Sequence, residues 1–238
     1  MCGRYTLTRQ VLLVEDLEAS LGLASQSAWW KPRYNVAPTQ PAPVVLLRDG
    51  TRQVEMMRWG LVPAWGRRPG VRPPLMINAR AESLQAKPVF RDALARGRCL
   101  VPADGFFEWK RAGTHAPTQA MYIHRRDHHL FAFAGLWART HTDDGELLSF
   151  TIVTGPPSEL VAPIHDRMPV VLDRGSYAAW LDPLTDPDRA QALLRPAADA
   201  AWIAQPVSAH VNSAHNDDPR CIEPAPPPPP AQGSLFPG

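Results

Sequence analysis

Apolar residues recur along this chain with two periods, and the shorter one dominates. Alternating or continuous apolar runs, rich in branched and aromatic residues, predict strands. Ala42 to Arg48, the turn pair Asp49-Gly50 and Thr51 to Trp59 predict a β-hairpin. Gln119 to His124, Leu130 to Thr140 and Leu147 to Thr154 predict three strands of one antiparallel sheet, joined by polar turns at Asp127 and Asp143-Asp144-Gly145. Shorter runs around Cys99 to Val101, Val170 to Leu172 and Trp202 to Val207 add strands. The helical period is rarer. Thr8 is placed to cap a helix carrying Leu12, Leu13, Leu17 and Leu21 on one face and stopping at Gly22. Further helices are predicted over Val89 to Arg96, Ser176 to Leu181 and Pro187 to Leu194. The balance predicts an α+β fold: one domain on a mostly antiparallel, barrel-like sheet with flanking helices.

Two stretches break both periods. Gly60 to Pro74 is a long Gly/Pro-rich excursion carrying Trp65, Arg67, Arg68 and Arg72, and long irregular loops in compact domains are usually functional. From residue 224 the chain becomes proline-rich, which favours an extended, disordered spacer over a core. The expected division is a domain over residues 2–223 and a tail over 224–238. With 238 residues and 45% hydrophobic content, the chain has enough material for a well-filled core. Its three cysteines are odd in number and widely spaced, and no signal segment precedes them, which predicts a reducing, cytoplasmic setting. No apolar run approaches the roughly 18 residues that span a bilayer, so no membrane is expected.

A net charge of +2 argues against a generic polyanion binder, but the charge is unevenly placed. Nine Lys or Arg fall between Arg58 and Arg98 against two acids, whereas residues 141 to 190 hold nine acids against three arginines. Such a chain can present one positive face, the footprint a phosphate backbone needs.

Chemistry concentrates in three places. Trimming of Met1 leaves Cys2 with an amine and a thiol on adjacent carbons, both usable near neutral pH. An aldehyde engages both: the amine condenses to an imine, and the thiol closes a five-membered thiazolidine. Glu108 lies among aromatics in Phe106-Phe107-Glu108-Trp109, half-exposed at a strand end or desolvated with a raised pKa, and the second case suits an acid or base. His165 falls in a polar break, Ile164 to Pro169, where a lone histidine is more often a structural hydrogen-bonder than a catalyst. No histidine stands at ligand spacing from the cysteines, so neither a metal nor another cofactor is expected.

Taken together, Cys2-Gly-Arg-Tyr5, Arg33-Tyr-Asn-Val-Ala-Pro38, Trp59 to Trp65, Ile77-Asn-Ala-Arg-Ala-Glu82, Cys99 to Trp109, Ile152-Val-Thr154 and Ile164-His-Asp-Arg-Met-Pro169 resemble the SRAP family, the SOS response-associated peptidases. The blocks follow family order over residues 2 to about 223. The resemblance implies an enzyme, expected on the nucleoid, that binds single-stranded DNA at abasic sites and links to them through Cys2; nothing in the sequence demands more than a monomer. It implies catalytic roles for Cys2, Asn78, Glu108 and His165. Arg4 and Arg80 are implied at backbone phosphates, with Asn35, Pro38 and Trp65 also on the DNA. Where relatives carry two adjacent tryptophans, this chain has Trp65-Gly66.

Two other readings stand beside this one. An N-terminal-nucleophile peptidase would use the Cys2 thiolate on a carbonyl after removing Met1 itself. A noncatalytic adaptor would hold DNA and recruit a partner through its tail. Gln232, Leu235 and Phe236 in the tail resemble the short peptide with which bacterial repair proteins dock on the sliding clamp, with the proline run as its spacer.

Overall fold

The computed structural model describes residues 2–8, 31–63, 75–111, 118–142, 145–195 and 199–226. The predicted helix after Thr8, the tip of the arginine-bearing excursion and nearly all of the proline-rich tail fall outside them.

The hairpin forms where the alternation places it. Strands β3 (Pro41–Arg48) and β4 (Thr51–Trp59) pair through Arg48↔Thr51, and Asp49 and Gly50 both take positive φ, 52° and 72°, as a type I′ turn requires. They join β6 (Arg98–Ala103), β9 (Phe131–Thr142) and β10 (Gly145–Gly155) in the order β10-β4-β3-β6-β9, and β9 pairs back onto β10. This closed ring of five strands is the barrel. All its pairings are antiparallel except β4 with β10, and β5 (Asn78–Arg80) also joins β10 in parallel.

A second sheet runs β13-β8-β7-β1-β2, built from β1 (Arg4–Leu7), β2 (Arg33–Val36), β7 (Gly105–Arg111), β8 (Thr118–Arg125) and β13 (Trp202–Pro206). The expectation of one sheet containing Gln119 to His124 together with the next two strands is therefore corrected. Alternation identifies a strand but not its neighbour, and β8 pairs with β7 and β13 while β9 and β10 close the barrel. The predicted strand over Val170 to Leu172 is observed as β12 (Val171–Leu172) on β9, and just before it the end of the predicted polar break forms β11 (Met168–Pro169) on β10.

Side-chain alternation builds three apolar layers. Leu100 joins Phe90 and Leu94 of α1 (Pro88–Arg96) and Trp180 of α2 (Tyr177–Leu181), on the helical side of the barrel. Its neighbours Cys99 and Val101 point the other way, into a cluster with Phe133, Phe150, Tyr5, Phe106 and Cys2 between barrel and second sheet. Phe107, one residue from Phe106, packs with Tyr122, Val211 and Cys221 on the far face of that sheet. A short helix α3 (Pro187–Ala192) is capped by Asp186, whose carboxylate accepts from Arg189 N–H. The root of the tail is fixed beside β13, where Ala225 N donates to Pro206 O at 3.0 Å.

Candidate active site

The chain's start is drawn into the interior by the pairing of β1 with β7. Arg4 stands opposite Phe107 and Tyr5 opposite Phe106, so the strand arrives with Cys2 fully buried in the cluster between the two sheets. Its thiol reaches Arg4 O at 3.9 Å. Burial pushes the thiol pKa well up, and the nearby Glu108 carboxylate pushes it further, against the lowering effect of the positive charge at the chain's start. Cys2 is thus a protonated thiol and not a standing thiolate.

Glu108 lies two residues beyond Phe106 on β7 and so faces the same layer. It is 2% exposed. Desolvation lifts its carboxyl to about 7; the terminal ammonium opposes the rise and Asp166 adds to it. A carboxyl at that value exchanges a proton readily at neutral pH, which is what a general acid or base requires. Of the two alternatives left by the sequence, the desolvated one holds.

Asn78 opens β5, in register with Ile152 of β10. Its amide donates to Ile77 O at 3.0 Å, and Oδ1 is buried with no hydrogen-bond partner among the described residues. A buried acceptor left so is costly unless a ligand supplies a donor. Ile77 and Ile152 both pack into the layer that holds Cys2. His165 ends a tight turn series in which its own N–H reaches Val161 O at 3.0 Å. Its Nδ1 lies 2.9 Å from Asp166 Oδ1 and accepts from the Arg167 backbone N–H at 3.0 Å. The Arg167 guanidinium grips Glu82 through both oxygens, at 2.7 and 2.9 Å, and donates to Thr154 O at 2.7 Å. That brace ties the segment carrying His165 to the turn that follows Asn78 and Arg80. Asp166 and Arg167 carried no role in the sequence reading, although both adjoin His165.

The residues read as DNA contacts divide. Arg80 is exposed, two residues beyond Asn78 on the same strand face. Pro38 is half-buried in the turn after β2, beside Thr39, whose φ is 74°. Arg4 is half-buried; it donates to Asn35 Oδ1 at 3.0 Å, Val211 O at 2.9 Å and Asn212 O at 3.4 Å, with its guanidinium carbon 5.9 Å from the Trp109 ring centroid. These acceptors are neutral, so the charge stays available while the side chain is held. Asn35 lies beneath the surface, fully buried, its amide donating to Val211 O, Ser213 O and Asn216 O. There it supports Arg4 and the 208–217 loop and cannot touch a strand of DNA directly. Trp65, Gln232, Leu235 and Phe236 lie outside the described residues.

Among the described residues no group of three His, Cys, Asp or Glu is arranged to hold a metal ion, and no helix is long and apolar enough to cross a membrane. The cysteines Cys2, Cys99 and Cys221 are all free thiols.

The chain matches the family described as SOS response associated peptidase (SRAP) over residues 1–214. It is 40% identical over 228 residues to the abasic site processing protein YoqW of Bacillus subtilis, covering 94% of this chain and 99% of that one. To the abasic site processing protein YedK of Escherichia coli it is 30% identical, covering 94% and 100%, and to HMCES of Gallus gallus 32%, covering 94% and 78%. Among solved structures, a protein from Bacteroides thetaiotaomicron superposes with a TM-score of 0.79 at 25% identity, over 94% of this chain and all of that one.

Proposed function

The chain belongs to the SRAP family, the SOS response associated peptidase proteins, and from that premise we propose that it processes abasic sites in single-stranded DNA by capturing the sugar aldehyde on Cys2. The observation that carries the reading is the meeting of a buried Cys2 thiol with a Glu108 carboxyl lifted to about 7.

The abasic sugar is mostly a closed hemiacetal, and its aldehyde is released by proton transfer, for which His165 is the group at hand. Once Met1 is trimmed, Glu108 takes a proton from the Cys2 ammonium, freeing the amine to add to the aldehyde carbon. The same proton returns to the hydroxyl that leaves as water when the imine forms. The thiol then adds to the imine carbon, its proton passing to nitrogen, and the thiazolidine closes. A thiol held protonated favours this order, because the imine forms first and sulfur attacks an already activated carbon. The buried oxygen of Asn78 is suited to accept a sugar hydroxyl. The closed ring lacks the electron sink that drives β-elimination, so strand cleavage is suppressed. Without the thiol the imine persists, and the same site acts as a lyase.

The raised thiol pKa also weighs against the peptidase reading, since a cysteine hydrolase works through a thiolate that its surroundings stabilise. Single-stranded DNA with one abasic site, incubated with the protein, should yield an adduct that survives denaturation, visible by gel and mass spectrometry. Cys2→Ala should give none and should cut the abasic strand more than the unaltered protein does, while binding intact strands nearly as well. A heat-stable adduct formed by Cys2→Ala would overturn the mechanism.

A further inference from the structure

The two partners of His165 Nδ1 make opposite demands. The Arg167 backbone N–H, 3.0 Å away, donates and needs a bare lone pair on Nδ1. The Asp166 carboxylate oxygen, 2.9 Å away, only accepts and needs a hydrogen there. A neutral imidazole carries one N–H, so each partner selects one tautomer. With the hydrogen on Nδ1, Nε2 keeps its lone pair, can accept a proton, and as imidazolium can return it. With the hydrogen on Nε2, the ring has nothing to accept with there, and releasing that hydrogen would leave an imidazolate far outside neutral chemistry.

We infer that Asp166 is a positioning residue that selects the Nδ1–H tautomer of His165, the form able to take and give a proton at Nε2, against the Arg167 amide, which selects the idle form. The use made of that proton rests on the abasic-site reading; the tautomer assignment does not.

Three observations support a real choice at this ring. The backbone around it is set by successive turn bonds, Ala162 N to Ser158 O at 2.8 Å and His165 N to Val161 O at 3.0 Å, so the Arg167 amide keeps its place. The Asp166 side chain is 86% exposed against 27% for His165, so the carboxylate can leave Nδ1 when the amide is the partner. The Arg167 guanidinium is committed to Glu82 and Thr154 O. Glu108 also responds to the Asp166 charge, which raises its carboxyl further. Asp166 therefore sits where it influences both proton-handling groups.

The test reads the ring directly. Nitrogen-15 NMR of the histidines in the DNA-free protein, at a pH where His165 is neutral, should show a substantial Nδ1–H population for the unaltered protein. Asp166→Ala should move it to the Nε2–H form and Asp166→Glu should restore it. With abasic single-stranded DNA, Asp166→Ala should form adduct about tenfold more slowly, with affinity for intact strands unchanged, and Asp166→Glu should recover the rate. Identical tautomer populations in the unaltered protein and Asp166→Ala would overturn the assignment, and an undiminished rate in Asp166→Ala would overturn the use made of that tautomer in adduct formation. If even the unaltered protein formed no adduct, the abasic-site reading would fall, and the tautomer comparison alone would judge Asp166.

Discussion

Burial lifts the Glu108 carboxyl from an ordinary 4.5 to about 7, and this has a price in stability whose sign can be followed with pH. Below about 4.5 the group is protonated in both folded and unfolded chains and contributes no difference. Between about 4.5 and 7 the unfolded chain releases the proton while the folded one holds it, so stability falls as pH rises. Above about 7 the penalty is constant, on the order of 3 kcal/mol. Glu108→Gln should therefore be the more stable protein near pH 8 by about that amount and nearly equal near pH 4, measured by urea unfolding at both. Its adduct formation should be poor and should lose the rise through about pH 7 expected with Glu108. Equal unfolding midpoints at the higher pH would show that the carboxyl is not desolvated. The aromatic neighbours in the sequence left two cases open, half-exposed at a strand end or desolvated, and the burial of Glu108 in the fold decides for the second. Asn35 was illegible in the sequence. Polar residues are usually exposed, and only the fold shows a buried amide that donates to the carbonyls of the 208–217 loop and accepts from Arg4. Asp166 adjoins His165 in sequence, but its meaning lies in a contact distance that sequence does not contain.

Strand β6 opens with Arg98, which in the sequence counts toward a positive surface. In the fold it is 5% exposed and donates to four carbonyls, Trp180 O and Leu94 O at 2.6 Å, Asp182 O at 2.5 Å and Thr185 O at 2.9 Å. One side chain thus pins the ends of α1 and α2 and the turn after α2 to the barrel. Replacing it by leucine fills much of the volume but strands several buried acceptors, at about 1–3 kcal/mol for each that finds no water. Arg98→Leu should lose about 3 kcal/mol overall, read as a lower urea midpoint with an unchanged slope. Its adduct rate per folded molecule should stay the same, since the neighbouring Cys99 and not Arg98 faces the layer that holds Cys2. An unaltered midpoint would remove Arg98 from this role. Elements whose identity depends on local pattern, such as the β3–β4 hairpin with its Asp-Gly turn, are legible in sequence. Those defined by a distant partner are less so: β13 reaches the second sheet by pairing from Trp202 to Pro206 with β8, some eighty residues earlier.

At the scale of the molecule, the charge asymmetry needs sorting by exposure before it predicts binding. Of the nine basic residues from Arg58 to Arg98, Arg98 is buried, Arg58 is half-buried, Arg67, Arg68 and Arg72 lie outside the described residues, and Arg80, Lys87, Arg91 and Arg96 are exposed. Arg80 has the position that matters, because two residues along a strand carry it about 7 Å from Asn78 on the same face. A backbone phosphate beside a sugar held at Asn78 falls within reach of so long a side chain. Arg4 differs in kind, because its bonds to Val211 O and Asn212 O also hold the 208–217 loop. The two arginines should separate experimentally. Arg80→Ala should weaken all single-stranded DNA alike, whatever its base sequence, and lower the log-log salt dependence by about 0.7, one phosphate's worth, with no change in unfolding midpoint. Arg4→Ala should weaken binding and lower the midpoint together. Salt titrations of affinity, paired with urea unfolding of both variants, decide the matter. An unchanged salt slope for Arg80→Ala would take Arg80 off the phosphate backbone, leaving the positive face to residues farther from Cys2.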